Sequence, residues 1–196
     1  MDKLRELEVM YNNIVKEQFK SSAPVVFGEG KRKPCIMLIG EAPGQKEEEL
    51  GRPFVGAAGK NLDEFLKILE IKREDLYITN VVKIRPFKIN PSTGRKSNRT
   101  PTKKEIQASL GVLFKQIEEI SPSIVVTLGN TPLRAIYGRD DIKIGDVHGK
   151  AIKKKMYTLF PLYHPASIIY NRKLYDTYIE DLYKLKKFLT DRKMEE

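Results

Sequence analysis

The sequence predicts an α/β protein: a three-layer α/β/α sandwich around a central, mainly parallel four-stranded sheet. Two observations predict it. Four short, almost wholly apolar runs each end abruptly in a polar turn, at Cys35–Ile39, Leu76–Thr79, Ser123–Leu128 and Met156–Phe160. Runs that apolar on both faces belong to parallel strands covered by helices. Between them lie stretches with apolar residues at helical spacing, so strands alternate with helices along the chain.

The elements follow in order. Leu4, Leu7, Tyr11 and Ile14 recur at helical spacing within residues 3–20, predicting an amphipathic outer helix. A Gly- and Pro-rich connector follows to Pro34, with Val25–Phe27 as a candidate edge strand. The first core strand, at 35–39, breaks into Gly40-Glu-Ala-Pro-Gly44. In parallel sheets ligands bind beyond the carboxyl ends of the strands, so Glu41 stands where a site would be. Taken alone, it suits a solvated turn residue equally well. The glycines and proline of Gly51–Gly59 predict a shaped loop. Leu62, Phe65, Leu66 and Leu69 then mark a helix.

The second strand ends at Asn80, with Val81 and Val82 as a possible extension. Residues 83–104 hold Lys83, Arg85, Lys88, Arg95, Lys96, Arg99, Lys103 and Lys104 and no acid. A helix with Ile106, Leu110, Leu113 and Ile117 inside runs to about Ile120. The third strand ends in Gly129-Asn-Thr-Pro132 and a short helix. Residues 142–155 read as irregular or hairpin structure. The fourth strand stops at Pro161-Leu-Tyr-His-Pro165, and a long helix from about 172 carries Leu174, Tyr178, Leu182, Leu185 and Leu189.

The chain has 196 residues, a net charge of +10 and a pI of about 9.5. One domain of 1–196 is the natural reading: an N-terminal helix and connector over 1–24, then a core over 25–190. The basic balance points to a polyanion, most simply nucleic acid. The charged N-terminus has no signal-peptide core and no segment suits a membrane span, so a cytoplasmic location is expected. The single cysteine, Cys35, placed inside the first strand, excludes an internal disulfide and any all-cysteine metal or iron–sulfur site within the chain. Neither a GxxxxGK[ST] loop nor a His/Asp ligand pattern is present, which argues against a nucleotide hydrolase.

If the strands are parallel neighbours, Glu41, Asn80, Asn130 and His164 gather on one sheet edge, with Phe54 and the basic 83–104 segment beside them. Each has a plainer reading: Asn80 satisfying loop backbone, Phe54 in the core, His164 in a turn, the basic run solvated. Together, carboxylate, amide, phenyl ring and imidazole suit the handling of a planar polar base on a nucleic acid strand.

Five segments carry a resemblance: GEAPG at 40–44, GRPFVGAAG at 51–59, TNVVK at 79–83, NRTPT at 98–102 and YHPAS at 163–167. In order and spacing they resemble the uracil-DNA glycosylase superfamily, most closely its family-four, thermophile-type branch, over about residues 25–190. The resemblance implies a DNA repair enzyme that flips uracil out of single- or double-stranded DNA and hydrolyses its N-glycosidic bond. It implies that Asn80 reads the Watson–Crick edge, Phe54 stacks on the base, and His164 donates to uracil O2. Glu41 becomes the candidate to position water, because Ala42 stands where other branches often have aspartate. Backbone at Gly40, Ala42 and Gly44 would help hold base and phosphate. Lys83, Arg85, Arg99 and Ser167 would meet DNA, and Ile169 or Tyr170 would wedge into it. His148, where the family often has a basic residue, would contact phosphate or simply lie on the surface, the surface being the plainer reading.

Family-four members commonly hold a four-iron cluster on four cysteines. The corresponding places here are Asn12–Lys16, Ile84 and a position near Ala108, so the cluster is expected to be absent and no cofactor is required. A monomer is expected. Two other readings stay open at this point: a relative that binds DNA or damaged bases with little or no cleavage, and a glycosylase for another deaminated base.

Overall fold

The computed structural model describes residues 2–171 and 173–195, without the side chains of 169, 170 and 193–195. Helix α1 spans Lys3–Gln18. Asp2 caps it by accepting the Leu4 N–H, as a carboxylate at a helix start does. Its inward face is Leu4, Leu7, Tyr11 and Val15, so the buried stripe runs through Val15 and leaves Ile14 at its margin. The connector holds no strand at 25–27. The edge strand is the two-residue β1 (Glu29–Gly30), antiparallel to β3. Strand β2 is Ile36–Gly40. Cys35 precedes it and is exposed, which corrects its predicted place inside the strand.

Two helices flank the Gly51–Gly59 turn region: α2 (Gln45–Leu50) and α3 (Ala57–Leu69). The predicted loop is therefore shorter, its last three residues forming the first turn of α3. Strand β3 is Tyr77–Asn80. Val81 and Val82 turn back instead of extending it, donating their N–H groups to the carbonyls of Gly40 and Glu41. The basic segment contains a hairpin, β4 (Phe87–Ile89) and β5 (Lys96–Asn98). Helix α4 (Lys103–Ile120) opens with a capping box between Thr102 and Glu105. Strand β6 (Ile124–Leu128) leads to α5 (Asn130–Tyr137) and α6 (Ile144–Val147). Strands β7 (Ile152–Lys153) and β8 (Thr158–Leu162), the short α7 (Ser167–Tyr170) and α8 (Leu174–Glu195) complete the chain.

The main sheet has six strands in the order β1-β3-β2-β6-β8-β7. Its four central strands are parallel and are the four predicted ones, and a two-residue antiparallel strand closes each edge. Strand β8 runs two residues later than predicted, through Pro161. The Pro161 carbonyl accepts from Gly149 N–H on the β7 side, where β7 has already ended. Its missing N–H therefore costs no ladder bond, which makes proline tolerable inside this strand.

Pleat alternation builds the two cores. Met37, Ile39, Val125 and Leu159 face α1, α4 and α5. Ile36, Leu38, Ile124, Val126 and Phe160 face α3 and α8, against Phe65, Leu66, Tyr178 and Leu182. Truncating one of these buried side chains costs about 2–5 kcal/mol. This packing fixes the carboxyl ends of β2, β3, β6 and β8 along one edge.

Candidate active site

At that edge the structure opens a pocket of about 380 Å³, lined among others by Ala42, Gly44, Glu47, Phe54, Gly56, Asn80, Asn98, His164 and Ala166. The residues come from the turns after β2, β3 and β8 and from the α2–α3 connection. Phe54, Asn80 and His164, far apart in sequence, therefore share one cavity. A separate concavity around Cys35, Leu69 and Leu189 lies by the amino end of β2, away from these groups.

Gly40 is the pivot. A Cβ there would fall 2.4 Å from Asn80 Oδ1 and 2.5 Å from Phe54 Cζ, closer than real contacts allow. Only glycine lets the amide and the phenyl ring approach from either side. Phe54 is held at φ +52°, a left-handed conformation rare for an aromatic residue. Gly59 permits this, since a Cβ there would meet the Phe54 carbonyl oxygen at 2.0 Å.

Glu47 fixes the same loop. Its carboxylate accepts the N–H groups of Gly44 (3.1 Å), Val55 (3.0 Å) and Gly56 (2.7 Å). One buried side chain thus ties the GEAPG turn to the GRPFVG turn. Sequence reasoning missed it, because Glu47-Glu-Glu49 looks like a solvated acidic run. The available signal was glycine-rich turns on both sides, whose N–H groups need acceptors.

Asn80 is buried, and its Oδ1 is a buried acceptor without a hydrogen-bond partner among the described residues. Such an atom costs about 1–3 kcal/mol unless something supplies a donor. His164 stacks beside Phe54, ring centroids 5.9 Å apart. Its Nδ1 accepts the Ala166 N–H at 3.1 Å, so the ring proton sits on Nε2. Burial pushes its pKa down to about 4, against a smaller opposing pull from Glu47. The imidazole is neutral at pH 7 and offers one N–H. The pocket wall therefore presents an acceptor and a neutral donor next to an aromatic ring.

Other expected residues lie differently. Glu41 does not line the pocket; its carboxylate accepts the Thr131 hydroxyl at 2.6 Å. Asn130 faces away and caps the Ile144 N–H. Lys83 is fully buried, its Nζ bonded to Thr79 Oγ1 (2.8 Å), Gln116 Oε1 (2.7 Å) and the Asn80 carbonyl (3.1 Å). Arg85 is buried against Asn98 and Glu48. Arg99 forks onto Glu105. Ser167 directs both its N–H and its hydroxyl to the His164 carbonyl. These four were expected to meet DNA. The structure ties their donors to acceptors within the protein: Lys83 and Arg85 are buried, and Arg99 and Ser167 are partly buried. The basic side chains left exposed are Lys88, Arg95, Lys96, Lys103 and Lys104. His148 is partly exposed, with Nδ1 2.5 Å from Asp181 Oδ2. The wedge side chains, Ile169 and Tyr170, lie outside the described ones.

The places that correspond to the family-four cysteines are packed in other ways. Ile84 is buried apolar core, and Tyr11, one residue before the Asn12–Lys16 stretch, bonds Ser109 Oγ across to α4 at 2.8 Å. Among the described residues no group of three or more His, Cys, Asp or Glu could hold a metal ion. Among them, too, no helix is long and apolar enough to cross a membrane.

A parallel α/β/α sandwich with a base-sized polar pocket at its strand ends defines a class: enzymes that act on an extruded nucleobase. Within that class the chain belongs to the uracil DNA glycosylase superfamily, whose family model matches residues 27–186. It is 40% identical over 194 residues to the Type-4 uracil-DNA glycosylase of Sulfurisphaera tokodaii, covering 95% of this chain and 83% of that one. The Type-4 uracil-DNA glycosylase of Pyrobaculum aerophilum is 38% identical over 189 residues, covering 93% and 91%. That of Thermotoga maritima is 40% identical over 171 residues, covering 84% and 83%.

Proposed function

We infer that this chain is a monofunctional uracil-DNA glycosylase that acts as a cytoplasmic monomer on uracil in single- or double-stranded DNA. One observation carries the reading: the unpartnered Oδ1 of Asn80 and the neutral Nε2–H of His164 face one cavity beside Phe54. Uracil supplies what that wall lacks. Its N3–H donates to Asn80 Oδ1, while the Asn80 amide donates to O4. Cytosine offers an acceptor and a donor in those places, and a fixed amide rejects it.

The chemistry follows from charge. Extruding the base costs about a few kcal/mol, offset by stacking on Phe54 and by backbone contacts. Breaking the N-glycosidic bond leaves negative charge on the base and oxocarbenium character on the sugar. The His164 N–H donates to O2 as that charge develops. A preorganised donor in a dry site is worth about 3–4 kcal/mol in the barrier. Glu41, held by Thr131 and next to the pocket residue Ala42, orients the water that attacks the sugar. Backbone at Gly40, Ala42 and Gly44 holds base and phosphate. No metal, nucleotide or iron–sulfur cluster takes part, and apolar packing around Ile84 takes the structural place of a cluster.

The test is base release from oligonucleotides carrying uracil, hypoxanthine or xanthine, single-stranded and paired, at several temperatures. Free uracil and an abasic site are expected from the uracil strands. Binding without release under every condition overturns the reading. An absorption band near 400 nm with bound iron in the purified protein overturns the part concerning the cluster.

A further inference from the structure

The β4–β5 hairpin is the largest feature at the pocket that the proposed chemistry does not use. Its register pairs Phe87 with Asn98 and Ile89 with Lys96. Directly paired residues, and residues two apart on a strand, share one face. Phe87, Ile89, Lys96 and Asn98 therefore line the same face, and Asn98 lines the pocket. That face forms a ledge along the hairpin that begins at the pocket residue Asn98.

The ledge is firmly anchored. Arg85 donates to Asn98 Oδ1 at 2.7 Å and pairs with Glu48, so the hairpin base is tied to α2. Arg99 ties the other strand to α4 through Glu105, and donates to the Phe87 carbonyl. The tip is ordered by Asn90, whose side chain accepts the N–H groups of Ser92 and Thr93.

Its outer surface is chemically distinctive. Ile89 is 57% exposed, a large apolar side chain on a polar hairpin. Lys96 Nζ lies 4.2 Å over the Phe87 ring. Lys88, Arg95 and Lys96 enter no ion pair among the described residues, and the whole 83–104 stretch has no acid. Apolar surface beside unpaired positive charge, continuous with a base pocket, suits a nucleotide: a flat ring to cover and a phosphate to neutralise.

We propose that the Phe87–Ile89–Lys96 face is a subsite for the nucleotide flanking the extruded base on the target strand. Its base packs on Ile89 and its phosphate meets Lys96. The proposal rests on the pocket being the extruded-base site, and its readouts separate the two.

The probe is a single-stranded uracil oligonucleotide with 2-aminopurine beside the uracil, on one side or the other. With the full chain, binding is expected to change the 2-aminopurine fluorescence on one of the two sides. Ile89→Ala is expected to abolish that change and weaken binding about tenfold. Lys96→Ala is expected to weaken binding several-fold and lower the salt slope by about 0.7. Lys88→Ala, on the opposite face, serves as the charge control and is expected to stay within twofold of wild type. All three side chains are exposed, so thermal melts are expected to coincide, and kcat for uracil release to stay within twofold.

Equal effects of Lys96→Ala and Lys88→Ala, or an unchanged fluorescence response in Ile89→Ala, overturn the subsite. So does self-association of the wild type that Ile89→Ala removes, which would assign the face to a second copy. If wild type releases no uracil yet shows the Ile89-dependent fluorescence, the functional reading falls and the subsite stands.

Discussion

The ammonium-bearing atom of Lys83 lies 3.1 Å from the backbone carbonyl oxygen of Asn80, inside the protein. The same amine holds Thr79 Oγ1 and Gln116 Oε1, and among the described residues no carboxylate pairs with it. It therefore clamps the end of β3 that presents the Asn80 amide to the pocket. Burial pushes its pKa down to about 7. The unfolded chain holds that proton up to the ordinary lysine range near 10.4. Between about pH 7 and that range the unfolded state binds more protons, so stability rises with pH. Burial pushes the neighbouring Tyr11 and Tyr77 hydroxyls up as well, Tyr77 to about 12.

Lys83→Met tests the clamp. The substitution removes a desolvated amine but leaves the Asn80 carbonyl, Thr79 Oγ1 and Gln116 Oε1 without their donor, and a buried acceptor left unpaired costs about 1–3 kcal/mol. The variant is expected to melt below wild type and to lose the pH-dependent gain of up to about 1.4 kcal/mol per pH unit above pH 7. Its kcat/KM is expected to fall about tenfold, because the end of β3 is no longer tied. Thermal melts from pH 6 to 9, beside single-turnover uracil release, check both.

Gly40→Ala is the sharpest geometric test. The added methyl falls within 2.5 Å of Asn80 and Phe54 together, so one or both must move. Uracil release is expected to fall at least about a hundredfold. Overpacking of this kind costs about 1–3 kcal/mol, which lowers the melting temperature by several degrees in a chain of this size. A variant with wild-type turnover would show that the amide and ring need not sit where they do.

The frame of this site was legible in the sequence because local pattern fixed it. The apolar run before Gly40 and the spacing of Leu62, Phe65, Leu66 and Leu69 each specify their element without help from elsewhere, and parallel pairing then brings Asn80 to Gly40. What the sequence hid depends on distant packing. Lys83 belongs by composition to the basic segment, yet it sits between Val82 and Ile84, and that apolar flank was the clue to its burial. Glu41 and Asn130 both end strands, but only the assembled loops decide that Thr131 and Ile144 take their side chains. The hairpin was masked by its polar residues, since β4 and β5 have exposed partners and no alternating core face.

Glu47 sets the rigidity of the pocket floor. Glu47→Gln turns one acceptor oxygen into a donor facing backbone N–H groups that Gly44, or Val55 and Gly56, already direct at it. Leaving such buried donors unpaired costs about 1–3 kcal/mol. Denaturant melts are expected to show that loss, with KM for uracil DNA rising more than kcat falls, because the Phe54 loop and the 40–44 turn lose their common brace. An unchanged KM would separate Glu47 from the site.

His164 is expected to be neutral, with its proton on Nε2, throughout the working pH range. The chain has two histidines, so nitrogen-15 NMR can resolve both rings. The His164 ring is expected to titrate near pH 4, against about 6.5 in an unfolded chain. A base with a lowered folded pKa adds stability that is fully present above about pH 6.5 and is lost as pH falls toward 4. His164→Ala should flatten that part of the acid limb. It should also lower kcat about 100- to 1000-fold, with DNA affinity changed only a few-fold, since the donor acts on charge that appears during bond breaking. An imidazolium ring at pH 7, or equal losses in affinity and turnover, would mean that His164 holds the DNA instead of the departing base.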